Sequence, residues 1–90
     1  MLKIFYTTQF KKDFKRAKKQ HKDLDKLQTI VEILVNEKPL DLQYKDHQLI
    51  GDWKNHRECH IEPDWLLIYR ISDSNLYLER TGSHSDLFKK

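Results

Sequence analysis

The chain has few residues that break or cross-link a backbone: among its 90 residues are two Gly, two Pro and one Cys. With no second thiol there is no internal disulfide, and a lone Cys59 suits a reducing compartment. No apolar run approaches the ~20 residues that span a bilayer, and "MLKIFYTTQF" lacks the long apolar stretch of a signal peptide. The expectation is a cytoplasmic protein with no membrane contact. The scarcity of Gly and Pro, beside 38% hydrophobic and 11% aromatic residues, argues against disorder. A chain of this length supports one core, so a single domain over residues 1–90 is expected.

Charge is present but unevenly spread. The net value of +3 hides an N-terminal segment, residues 1–26, with nine Lys or Arg against three Asp. The remainder is net acidic. Such asymmetry points to a polyanion or an acidic protein partner, and its plainer reading is a solvated helix face.

"LKIFY" reads as a strand. Thr7 or Thr8 can then cap a helix that places Phe10, Phe14 and Ala17 inward, while Lys11, Lys15, Lys18 and Lys22 form a separate stripe. Asp23 can cap a second helix with Leu24, Leu27, Ile30 or Val31, and Leu34 inward, stopped by Pro39. Periodicity disappears from Pro39 to Asn55, a long connector of the kind that often carries function. Three strand-like runs come next, "RECHI", "WLLIYRI" and "LYLERT", joined by Pro63-Asp64 and "SDSN". The architecture expected is α+β: an N-terminal strand, a two-helix hairpin, then a three-stranded antiparallel meander, with the helices on one sheet face and the other face open.

Alternation along "RECHIEPDW" sends Cys59 and Ile61 toward the helices and Glu58, His60 and Glu62 to the open face. Adjacent strand residues face opposite ways, so Cys59 and His60 are badly set for a thiol–imidazole pair. Asp64 falls at a strand end near His60, where a carboxylate can orient an imidazole. His47 lies in the connector and His84 comes after the last strand. Zinc is not expected: His56 and His60 share a strand-like run, and no paired Cys-x-x-Cys exists. Histidines, a carboxylate, Arg80 and lysines on one basic face suit cleavage of RNA through its own 2′-hydroxyl. That reaction needs a base, an acid and cations, and no metal or cofactor.

"YKDHQLIGDWKNHRECHIEPDWLLIYRI" followed by "LERTGSHSDLF" resembles the YafQ group of the RelE/ParE toxin superfamily, and "TTQFKKDFKRAKKQHKDLDKL" is similar to that group's helix hairpin. The resemblance runs almost end to end. It implies a RelE-like fold and the toxin of a type II toxin–antitoxin pair, a ribonuclease that cuts messenger RNA in the ribosomal A site and is held by a DinJ-like antitoxin. Carried over by position, it implies His47 or Asp64 as base, His84 as acid, His60 and Arg80 steadying phosphate charge, and Trp65 and Phe88 positioning a base. Lys45, Lys54 and Arg57 would add substrate contacts. Each has a plainer reading: Trp65 as sheet packing, Arg80 as a cross-strand ion pair, Phe88 as a plug for the C-terminus. Two departures from the pattern stand out, Gln48 where Pro is expected and two lysines after Phe88.

The superfamily's ParE-type toxins, which block DNA gyrase, share the fold and do no RNA chemistry. A passive RNA-binding module using its lysines alone is a third reading. The histidine set favours the ribonuclease, because a protein–protein inhibitor has no use for titrating groups on an open face.

Overall fold

A computed structural model of the protein describes residues 1–88; Lys89 and Lys90, the lysines after Phe88, lie outside the described residues. The chain runs β1 (Lys3–Tyr6), α1 (Thr8–Lys19), α2 (Leu24–Val35), β2 (His47–Gln48), β3 (Arg57–Glu62), β4 (Trp65–Ser72), β5 (Asn75–Gly82) and α3 (His84–Leu87). The five strands form one sheet in the order β1-β5-β4-β3-β2. β3, β4 and β5 are the expected antiparallel meander, and β1 joins β5 in parallel.

The helices start where capping predicts. Thr7 Oγ1 accepts the Phe10 N–H at 3.0 Å, and Asp23 accepts the Asp25 N–H at 3.1 Å. Phe10, Asp13 and Ala17 form the buried stripe of α1, and Leu27, Ile30, Leu34 and Val35 that of α2. Pro39 does not end α2. The helix stops at Val35, and Glu37 takes a left-handed φ of 57° with its N–H on the Leu34 carbonyl.

Both faces of β4 are buried, as its unbroken apolar run requires. Trp65, Leu67 and Tyr69 join the helix-side core, whereas Leu66 and Ile68 face the other way. That second face is not wholly open. Leu49, Trp53, Leu87 and Phe88 cover Leu66 and Ile68 with a small apolar cluster. The connector, too, is more ordered than expected: Leu42–Tyr44 and Gly51–Trp53 form single 3₁₀ turns around β2, which pairs His47 with Glu58 and Gln48 with Arg57.

A bulge corrects the simple alternation of β3. His60 pairs with Leu66, but Glu62 pairs with Trp65, leaving Ile61 as the extra residue. One inserted residue reverses the parity of the strand beyond it, so Glu62 turns to the helix side and meets Lys26 Nζ at 3.0 Å. Cys59 keeps its predicted inward direction and is fully buried. Burial pushes its thiol up to about 12, which leaves it inert as a nucleophile.

Candidate active site

Three imidazoles gather on the sheet face away from the long helices. The His47 and His60 ring centroids are 6.3 Å apart, and those of His60 and His84 are 5.8 Å apart. Each comes from a different element. His47 is in β2, His60 is in β3 beside the Leu66 row, and His84 opens α3, whose N-terminus is fixed by a reciprocal capping box between Ser83 and Asp86.

Carboxylates hold this row at both ends. Glu58, with 7% of its side chain exposed, lies 3.4 Å from His47 Nε2 and 3.6 Å from His60 Nε2. It stands between the two rings at ion-pair distance. Asp64 Oδ1 takes the His84 Nδ1 proton at 2.6 Å and the His84 backbone N–H at 2.9 Å. The backbone N–H above all, and then the ring, lower the Asp64 pKa from its ordinary value, so it remains a carboxylate.

Hydrogen-bond partners assign the tautomers. His47 Nδ1 faces the Lys45 carbonyl at 2.7 Å, an oxygen that can only accept, so this nitrogen carries a proton, and Nε2 faces Glu58. Lys45 reaches this geometry through a left-handed φ of 47°. At His84, Nδ1 is tied to Asp64 and Nε2 is left for other chemistry. A neutral imidazole in that state accepts a proton at Nε2 and, once charged, donates it there.

The structure therefore brings His47, His60, Asp64 and His84 together, and Glu58 joins them. Sequence alternation places Glu58 on this face without singling it out. What alternation cannot show is its burial between two histidines, which depends on β2 pairing beside β3. Lys45 is exposed next to His47, and Lys54 is exposed in the next loop, where its carbonyl meets His56 Nδ1 at 3.2 Å. Phe88 is half-buried against the Leu66 and Ile68 cluster.

Three of the expected substrate contacts have partners within the protein. Arg57 lies on the opposite face from His60 and is committed to Asp46 through Nε at 3.3 Å and Nη2 at 3.1 Å. Arg80 is not a free cation either: its Nε and Nη2 hold Asp13 at 2.7 and 3.2 Å, next to a bulge that leaves Glu79 unpaired in the ladder. Trp65 is 1% exposed, in the helix-side core, and its Nε1 donates to Thr81 Oγ1 at 3.0 Å. No face of the indole is available to stack on a base. Trp65→Phe should therefore lower stability by about 1–3 kcal/mol, through lost volume and a lost buried hydrogen bond. Urea unfolding measures this; a variant of unchanged stability that no longer cuts RNA would return Trp65 to the substrate.

Among the described residues, no three of His, Cys, Asp and Glu converge as a metal-ligand set, and no helix is long and apolar enough to cross a membrane. Lys11, Lys15 and Lys18 are exposed on α1, and Lys22 Nζ lies 5.8 Å from the Trp65 ring centroid.

A sequence model of the family described as "Bacterial toxin of type II toxin-antitoxin system, YafQ" matches residues 2–89. The mRNA interferase toxin YafQ of Escherichia coli is 50% identical over 86 residues, 94% of each chain. The putative toxin YafQ of Haemophilus influenzae is 39% identical over 91 residues, 93% of this chain and 89% of that one. The crystal structure of the E. coli DinJ–YafQ complex matches with a TM-score of 0.91 at 48% identity, over 98% of this chain and 99% of that one.

Proposed function

The chain belongs to the YafQ family of bacterial type II toxins, and from that premise we propose how it acts as an mRNA interferase. It is the toxin of a toxin–antitoxin pair and an endoribonuclease, restrained by a DinJ-like antitoxin. Its substrate is messenger RNA in the ribosomal A site, and its compartment is the cytoplasm.

One observation carries the mechanism: His84 is anchored through Nδ1 to Asp64 at 2.6 Å, at one end of a row of imidazoles whose other end is His47. In this reading His47 Nε2 removes the 2′-proton, and the 2′-oxygen attacks the adjacent phosphorus. The bond to the 5′-oxygen breaks as protonated His84 delivers its Nε2 proton to that oxygen. His60, between them, offsets charge on the phosphoryl oxygens. Asp64 is the weaker choice of base, because two hydrogen bonds from His84 and a lowered pKa reduce its basicity. Its role is to fix the His84 ring. Lys45 and Lys54 lie outside the row as phosphate contacts, and Phe88 borders it.

A gyrase inhibitor or a passive RNA binder would need none of this row. The small basic surface offers few contacts to hold naked RNA in line, so cleavage should depend on the ribosome. Purified protein is expected to cut a messenger during translation and leave the same RNA largely intact when free. Efficient cutting of naked RNA at low protein concentration would remove the ribosome from the mechanism, and binding without cutting in either setting would favour the passive reading.

A further inference from the structure

Strand β2 is two residues long and is held to β3 by two register pairs. A slip of one residue would send His47 to the helix side of the sheet and Asp46 to the histidine side. So short a ladder is weakly specified by its own hydrogen bonds. One further backbone bond, from the Leu49 N–H to the His56 carbonyl at 2.9 Å, extends it, and side chains add a lock on the other face. Asp46 accepts from Arg57 Nε at 3.3 Å and Nη2 at 3.1 Å, and from the Tyr69 hydroxyl at 2.6 Å.

Both partners project from paired strands of the sheet. Tyr69 is 1% exposed on the central strand, and Arg57 is the immediate neighbour of Glu58 on β3. Asp46 therefore clasps Arg57 on one face while the next residue, His47, meets Glu58 at 3.4 Å on the other. The guanidinium pKa is raised chiefly by the Asp46 hydrogen bond. Tyr69 is also pushed up, by burial first and then Asp46, so both partners stay donors.

We infer that Asp46, gripped by Arg57 and Tyr69, is a positioning residue that sets the His47 imidazole on the histidine side of the sheet with its Nε2 beside Glu58. The inference rests on the cleavage reading for its activity arm alone. It accounts for the carboxylate directly before His47 in "KDH" and for the fate of Arg57, whose charge the substrate does not meet.

Two variants test it. Tyr69→Phe removes one hydroxyl and keeps the ring, and Asp46→Asn keeps the shape and removes the charge. Single-turnover cleavage of ribosome-bound messenger should fall several-fold for the first and by roughly 10- to 10²-fold for the second, the scale of a slightly misplaced catalytic group. In a His47→Ala background neither change should reduce the residual rate further. By NMR of histidine-labelled protein, His47 ring signals should move in both variants while those of His84 stay. An equal fractional loss with and without His47, or unmoved His47 signals, overturns the inference. If the unaltered protein cuts nothing, the cleavage reading fails and the His47 signals still decide this one. If Asp46→Asn does not fold, Tyr69→Phe carries the decision.

Discussion

His84→Gln should cut ribosome-bound messenger roughly 10²- to 10⁴-fold more slowly than the unaltered protein, the usual contribution of a positioned acid or base. The geometry behind this is the 2.6 Å bond from Nδ1 to Asp64, which fixes the ring and assigns Nε2 to the leaving oxygen. Glutamine is polar and of similar size, and α3 is held by the Ser83–Asp86 capping box, so fold and ribosome binding should survive. The loss should shrink when a sulfur atom replaces the leaving oxygen, since a thiolate departs without a proton. Equal fractional losses on normal and sulfur-substituted messengers would take the acid's role from His84 and pass it to His60. The Asp64 pKa is lowered in the folded protein, so its hold on α3 is complete above the ordinary carboxylate range and is lost only as pH falls through the lowered value. An acidic limb of the activity profile near neutrality therefore does not belong to Asp64.

The largest loss of stability is expected at Asp13, in the join between α1 and β5. This carboxylate is 1% exposed and meets Arg80 Nε at 2.7 Å, Arg16 Nη2 at 3.2 Å and the Thr81 backbone N–H at 3.2 Å. It fastens α1 to β5 beyond the point where β1 stops pairing, at Leu78. Asp13→Ala removes the partner of a mostly buried guanidinium and leaves a strand N–H without an acceptor. Breaking a buried pair from one side costs about 3–5 kcal/mol. In a domain this size that lowers the melting temperature by on the order of 20 °C. Replacing both members, as Asp13→Leu with Arg80→Met, should be less harmful than Asp13→Ala alone, because the mostly buried guanidinium leaves with its carboxylate, and half-buried Arg16 keeps Asp86 at 3.6 Å. Thermal unfolding of the three proteins decides it: a loss under about 1 kcal/mol for Asp13→Ala would mean the pair behaves like a surface bridge.

The same buried pair explains why Arg80 resembles a free cation in the sequence and is committed to Asp13 in the fold. A cation beside "TGSH" looks available for phosphate, and nothing local reveals that an aspartate 67 residues earlier reaches it. Arg57 is deceptive for the same reason, its partner Asp46 being brought beside it only when β2 pairs with β3. Trp65 stands in the most suggestive part of "HIEPDW", but parity along β4 sends it to the helix side with Leu67 and Tyr69.

The sequence by itself determined the α+β order, a first helix cap at Thr7 or Thr8 and a second at Asp23, the meander, and the histidines and Asp64 of the candidate site, because periodicity and capping are local and the motifs are contiguous. Tertiary structure alone decided the rest. It added β2, turned Glu62 around at a one-residue bulge, enclosed Glu58 between His47 and His60, and assigned Arg57 and Arg80 to buried or half-buried carboxylates. The physical reason is that a charged side chain's partner is set by strand register and packing between distant segments. Once water is excluded, an ion takes the nearest satisfying carboxylate, whatever role its neighbours in sequence suggest.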